Sequence, residues 1–226
     1  MRADVRTNWL ISLGAFVVVA GLATAGFAAM RPKNLAEDAK TKSGLFVVAG
    51  ASTIAPTAMA TFAGGCFWGV EDHFRKMKGV VATAVGYTGG HTESPTYEQV
   101  CDHGTGHAEA VAIEFDPKVV SYAQLVEEFL WIHDPTTLNR QGPDVGDQYR
   151  SAIFFHDAQQ QQVAKQAIAK LAASGELDRP IVTQVVHAPK FWFAEQYHQQ
   201  WIEKGGRGGC HVRRPKNPAN APTTVR

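Results

Sequence analysis

Between Ala60 and Phe74 the chain reads "ATFAGGCFWGVEDHF", and this stretch constrains the fold more than any other. An uncharged apolar run ends in Gly64-Gly65, and the residues beyond it take up helical spacing, so the stretch predicts a buried strand, a tight turn and a helix. The helix closes at Gly79 and is followed by the β-branched run "VVATAVGY", which stops at Thr88-Gly89-Gly90. Strand, helix and strand therefore follow each other with short connections, and Cys66 stands at the first junction.

The rest of the chain continues in the same mixed way. "AEAVAIEF" from Ala108 to Phe115 alternates as a half-buried strand and is stopped by Asp116-Pro117. Ser121 can cap the helix "YAQLVEEFLWIH", in which Leu125, Phe129 and Ile132 recur at helical spacing up to Asp134-Pro135. A glycine- and proline-bearing loop, "LNRQGPDVGDQ", leads to the strand "YRSAIFF". The helix "AQQQQVAKQAIAKLAAS", the strand "IVTQVV" and the aromatic helix "FWFAEQYHQQWIEK" complete the series. Short strands and helices without regular βα alternation predict a single α+β domain with a sheet core flanked by helices.

Both ends differ from this core. No charge occurs from Thr7 to Met30, a run long enough to cross a bilayer, with Arg2 and Arg6 before it and Ala23-Thr24-Ala25 as a small-residue cleavage site. Residues 1–42 are expected to be a signal peptide or membrane anchor plus a polar linker. That places the protein outside the cytoplasm or on a membrane facing the exterior; the alternative is a cytoplasmic protein with a poorly structured leader. The catalytic domain is expected over residues 43–212 and a flexible basic tail over 213–226.

A length of 226 residues with 45% hydrophobic and 19% charged content suffices for one core and excludes disorder throughout. The formal charge of +1 gives no field of one sign, so a nucleic-acid partner has no electrostatic support. Cys66, Cys101 and Cys210 are too few for a disulfide scaffold and point to chemistry or packing.

Cys66 follows two glycines and starts a helix, where free backbone N–H groups and the helix dipole favour a thiolate nucleophile; otherwise it is a small buried hydrophobe. Phe67 and Trp68 beside it can receive an apolar group next to sulfur, or simply fill core. In "PTYEQVCDHGTGHAEA", Tyr97, His103, His107 and Glu109 crowd a loop before a strand. Glu109 opens an otherwise apolar strand, where desolvation would keep it protonated near neutrality as a proton donor. Cys101, His103 and His107 lack the paired ligand spacing of a zinc site, so no metal is expected. Asp144 and Tyr149 sit in the loop before a later strand, where a tyrosine hydroxyl can bond a polar ligand oxygen. Cys210 lies behind "GGRGG", a flexible arm from which its thiol can reach a distant sulfur. Cys101 has no such flank and is read as structural.

The segments "GCFWGVE", "GYTGG", "PTYEQVC", "GTGHAEAV", "HDPTT", "RQGPDVGDQYRSAIF" and "FAEQYHQQ", in that order, resemble the peptide methionine sulfoxide reductases of the A type, which act on the S epimer. The resemblance runs from about Phe62 to Cys210. It implies a single α+β domain with a mixed sheet, with Cys66 as nucleophile and Phe67 and Trp68 holding the substrate methyl. Tyr97, Glu109 and Tyr149 would bind the sulfoxide oxygen, with Glu109 as proton donor, Asp144 as supporting acid and Cys210 as recycling cysteine. Some relatives carry a further cysteine beyond the recycling one; this chain has none, so a single Cys66 to Cys210 disulfide is implied.

The expected reaction reduces methionine-S-sulfoxide, free or in proteins, through a Cys66 sulfenic acid and that disulfide, recycled by a thioredoxin-type reductant. It needs no organic cofactor and only one chain, so a monomer is expected. The alternatives are another cysteine-based redox enzyme, recognised by a preference for peroxide, and a non-catalytic methionine-binding module, recognised by binding that survives loss of Cys66.

Overall fold

The structure is a computed structural model and describes residues 33–34 and 57–207. The expected leader of residues 7–30, Cys210 and the basic tail lie outside the described residues. Lys33–Asn34 (β1), within the expected linker, pairs in parallel with the later strand Val80–Thr88.

The predicted strand, turn and helix form over Ala58–Gly64 (β2) and Phe67–Arg75 (α1), followed by Val80–Thr88 (β3). Tyr97–Cys101 (α2) is a short helix where the sequence predicts a loop. Thr96 caps it by accepting from the Gln99 N–H, and the Gln99 side chain accepts from the Thr96 N–H in return. Ala108–Phe115 (β4) follows, then Tyr122–Ile132 (α3), in which Ser121 and Gln124 make the same reciprocal cap. A small hairpin, Arg140–Gln141 (β5) with Asp144–Val145 (β6), leads through a 3-10 turn at Asp147–Tyr149 into Ser151–Phe155 (β7). Ala158–Ala173 (α4), Gln184–His187 (β8) and Trp192–Phe193 (β9) complete the described elements.

The main sheet has the order β1-β3-β4-β2-β7-β8, with β9 also on β3. The β3–β4, β4–β2, β2–β7 and β3–β9 pairs are antiparallel, and β1–β3 and β7–β8 are parallel. This is the mixed sheet of an α+β domain. The sequence predicted a half-buried β4, but all eight of its residues are buried, because β4 lies between β3 and β2 and both its faces are covered. Val111, Ile113 and Phe115 join the main core with Val70 and Phe74 of α1 and Leu125 and Phe129 of α3. Ala108 and Ala110 point the other way, against Ala63, Ala152 and Phe154. Glu109 shares the parity of Val111, so alternation turns its carboxyl toward the helix-bearing face.

A second departure concerns "FWFAEQYHQQWIEK", predicted as a helix. Trp192 and Phe193 instead pair with Tyr87 and Gly86 as β9, and the residues after Glu195 run through successive turns. The reason is competition for the backbone. The Gln199 amide accepts from the Val85 N–H and donates to the carbonyls of Val85 and Ala194, and the Gln200 N–H goes to the Glu71 carboxyl. Gln200 adopts φ +51, which no α-helix accommodates.

Candidate active site

The site forms where the central strand β2 ends. Gly64 pairs with Ser151 and lies so close to α3 that a Cβ there would come within 2.8 Å of the Phe129 ring. Gly65 turns the chain with φ +97, a conformation that favours glycine. These two requirements place Cys66, half-buried, at the N-cap of α1.

The first N–H of α1 belongs to Phe67 and donates to Glu109 Oε2 at 3.0 Å, which brings the β4 carboxyl to the residue beside Cys66. Glu109 is only 2% exposed. Burial is the main reason its pKa is pushed up to about 8, the Asp144 charge adds to the rise, and the Phe67 N–H opposes it. The group thus holds its proton at pH 7 while one oxygen is fixed by the helix terminus.

The loops that carry the other candidates are tied together near Glu109. Arg150 donates to the carbonyls of Asp147 and Gly106, and the His103 ring meets the Gln148 side chain at 3.1 Å. Burial raises the Tyr149 pKa above its ordinary value, and Glu109, Cys101, Asp144 and Cys66 each contribute to the rise. Burial likewise raises Tyr97, with Cys101, Glu109 and Tyr149 among the neighbours that add to it. Both phenols therefore remain hydrogen-bond donors. Asp144 contributes one buried carboxylate oxygen, Oδ2, with no hydrogen-bond partner among the described residues, an acceptor open to a donor that enters the site.

The two aromatics after Cys66 are placed differently. Phe67 is 1% exposed, packed between Tyr87 and His198 at ring separations of 5.9 and 5.2 Å. Trp68 is half-buried. Its indole N–H donates to His198 Nδ1 at 3.0 Å, and its face stacks on Trp201 at 4.7 Å with 18° between the planes.

Cys101, read as structural, comes nearer the site than its sequence context suggested. Burial raises its thiol pKa, and the neighbouring Tyr97 hydroxyl opposes the rise. His107 is buried, with Nδ1 meeting the Gly90 N–H and Nε2 the Thr92 carbonyl, so both ring nitrogens serve the backbone.

The residues that sequence reasoning missed lie in "FAEQYHQQW". Glu195 Oε1 accepts from the Tyr97 N–H at 2.9 Å and Oε2 from the Tyr87 hydroxyl at 2.9 Å, which fixes the start of α2 against β3. His198 is 1% exposed, and burial lowers its pKa, so the neutral ring accepts from Trp68. The available signal was a cluster of polar residues inside an aromatic run, which a helix would have left without purpose.

A thiol at a helix N-cap close to a buried carboxyl with a raised pKa, on a mixed α+β sheet, is an arrangement suited to a cysteine-based oxidoreductase. Sequence comparison narrows the class. A family-wide sequence model described as peptide methionine sulfoxide reductase matches residues 58–224. The chain is 61% identical over 147 residues to the peptide methionine sulfoxide reductase MsrA of Methanosarcina acetivorans, covering 65% of this chain and 78% of that one. It is 57% identical over 155 residues to the MsrA of Methanothermobacter thermautotrophicus, covering 69% and 92%. Among solved structures it is similar to Mxr1 from Saccharomyces cerevisiae in reduced form, at 35% identity and TM-score 0.65, covering 70% of this chain and 93% of that one. Methionine sulfoxide reductase A of Corynebacterium diphtheriae is similar at 38% identity and TM-score 0.60, covering 67% and 76%. The chain belongs to the peptide methionine sulfoxide reductase A family and is a peptide-methionine (S)-S-oxide reductase.

Proposed function

We propose that the chain repairs oxidised methionine by a three-step thiol cycle. The Cys66 thiolate attacks the sulfoxide sulfur, Glu109 gives its proton to the departing oxygen, and Tyr97 and Tyr149 orient that oxygen through their hydroxyls. Trp68 offers its ring to the substrate methyl, with Phe67 forming the floor behind it, and Asp144 is a supporting acid that accepts from bound substrate or water. The attack joins the Cys66 and substrate sulfurs, and the protonated oxygen leaves the substrate sulfur as water. A water then adds to the Cys66 sulfur, giving back one proton and breaking the S–S bond, so that methionine leaves reduced by two electrons and Cys66 is oxidised by two electrons to the sulfenic acid. Cys210 then condenses with it, expelling water and forming the Cys66–Cys210 disulfide. A thioredoxin-type dithiol reduces that bond and becomes a disulfide itself.

The observation that carries this reading is the 3.0 Å contact from the Phe67 N–H to Glu109, which sets a carboxyl pushed up to about 8 next to the nucleophile. The test is turnover of the separate sulfoxide epimers, free and within a peptide, with a thioredoxin system as reductant. Methionine should form from the S epimer alone, and equal use of the R epimer would contradict the orientation of oxygen toward Glu109. A location outside the cytoplasm is proposed from residues 7–30. Fusion of residues 1–42 to a reporter active only after export should give activity, and a silent reporter would overturn it.

A further inference from the structure

Beyond the residues of the sulfoxide site, one tryptophan touches both the substrate aromatics and the chain that leads to Cys210. Trp201 stacks on Trp68, which is two residues past Cys66. On its other side, the Trp201 indole N–H donates to the Arg207 carbonyl at 3.1 Å, and its own carbonyl accepts from the Gly206 N–H at 2.9 Å. Gly206 is held against the ring: a Cβ on it would lie 2.2 Å from the indole nitrogen and 2.3 Å from Cε2. Because Gly206 has no positive φ, the need for glycine here is one of space. Gly205, with φ +88, makes the turn that brings the chain back to the ring.

We propose that Trp201 is a positioning residue for the recycling step, fixing the root of the Cys210 arm against the face of the sulfoxide site. This rests on the reading that Cys210 resolves the Cys66 sulfenic acid. From Arg207 to Cys210 is three residues, which span at most about 10 Å when extended. Anchored at the ring edge, that tether starts beside the α1 turn that carries Cys66. Without the anchor, the free chain would begin at Glu203, which the buried Arg75 holds through two bonds at 3.1 and 3.0 Å, and a tether of seven residues in place of three would lower the effective concentration of the Cys210 thiol. Both the lost hydrogen bond and the longer loop predict an effect of about fivefold on the rate of disulfide formation.

Two variants approach the contact from opposite sides. Gly206→Ala pushes the arm from the ring, and Trp201→Phe keeps an aromatic face under Trp68 but removes the N–H donor. Pre-reduced full-length enzyme is mixed with one equivalent of S-sulfoxide, without reductant, and quenched at intervals. Released methionine reports the first step, and the number of thiols open to alkylation, read by intact mass, reports the second. The three cysteines should fall to one, Cys101, once the disulfide forms. In Gly206→Ala the first methionine should leave at the wild-type rate, while the disulfide forms about fivefold more slowly, and Trp201→Phe should show the same slowing of the second step. Disulfide formation at the wild-type rate in both variants overturns the proposal and leaves the cycle standing. Equal slowing of both steps in Gly206→Ala overturns it as well, since the ring would then serve only the sulfoxide site. Wild-type enzyme that releases methionine without forming the disulfide overturns the cycle itself, and the arm's role with it.

Discussion

The two regions that meet at Trp68 are built by opposite means. From Ala58 to Arg75 the backbone is periodic: β2 is paired on both sides, and α1 starts where the strand ends. From Ala194 to Arg207 the backbone is irregular: its turns are closed by short-range backbone bonds such as His198 N–H to Glu195 and Gly206 N–H to Trp201, and side chains reach the rest, with Gln199 on the Ala194 carbonyl, Glu71 on the Gln200 N–H and Trp201 on the Arg207 carbonyl. The periodic region has little freedom to relax, which holds Cys66 and the Phe67 N–H in place against Glu109 on the neighbouring strand β4, as the proposed nucleophile and proton donor require. The irregular region turns side chains inward at positions no helix could serve, and it ends in the glycine arm. Chemistry is assigned to the first, and positioning and recycling to the second.

Mutations should separate the two, and the largest effects belong to the groups proposed to react, Cys66 and Glu109 on the paired strands' side and Cys210 at the end of the arm. Cys66→Ser should abolish methionine formation, and any sustained turnover would move the nucleophile elsewhere. Cys210→Ser should release one methionine per chain and then stop with thioredoxin as reductant, and continued cycling would show that the arm is dispensable. Glu109→Gln should slow the first step by a factor on the order of 10² to 10⁴.

In the irregular region, Gln199→Ala should destabilise the fold by about 2 kcal/mol, since the Val85 N–H and the Ala194 carbonyl lose this partner in the core while the Val85 carbonyl keeps the Ala194 N–H. Measured by denaturant unfolding, a loss below about 0.5 kcal/mol would mean that the turns hold without it. The first-step rate of the folded fraction should change little; if it fell as far as in Glu109→Gln, the division between the regions would break.

The smallest effect is a pH dependence. Burial raises the Glu71 carboxyl from 4.5 to about 7, and its oxygens receive the Gln200 N–H and the Thr83 hydroxyl. A raised carboxyl favours the folded state fully below about pH 4.5, and that contribution is lost as pH rises through about 7. Wild type should therefore lose stability over this window relative to Glu71→Gln, and parallel stability curves would remove Glu71 as the cause.

The same contrast explains what the sequence made legible. β4 was bounded at Ala108 and Phe115 because its apolar residues end at Asp116-Pro117, and α3 was found from its Ser121 cap and helical spacing. Gly64-Gly65 announced the turn before Cys66. The double-sided burial of β4 was hidden, because small alanines on one face look like exposure until neighbouring strands are known. The helix predicted over 191–204 failed because its polar residues bond to strands more than 100 positions away, such as Val85 with Gln199, and local spacing carries no trace of such partners. For the site, Cys66, Glu109, Tyr97 and Tyr149 could be named as candidates from their local context and the family resemblance. The supporting roles of Glu195, His198 and Trp201 could not, since each acts on a residue distant in sequence.

The central claim is that a buried, protonated Glu109 supplies the proton when Cys66 attacks. The direct test is the rate of first-methionine release from S-sulfoxide as a function of pH, in wild type and in Glu109→Gln. The wild-type rate should fall as pH rises through about 8, where Glu109 gives up its proton, and the variant should be slower and lack that descending limb. An identical descending limb in the variant, or an unchanged rate, would contradict the account and place the proton donor on another group.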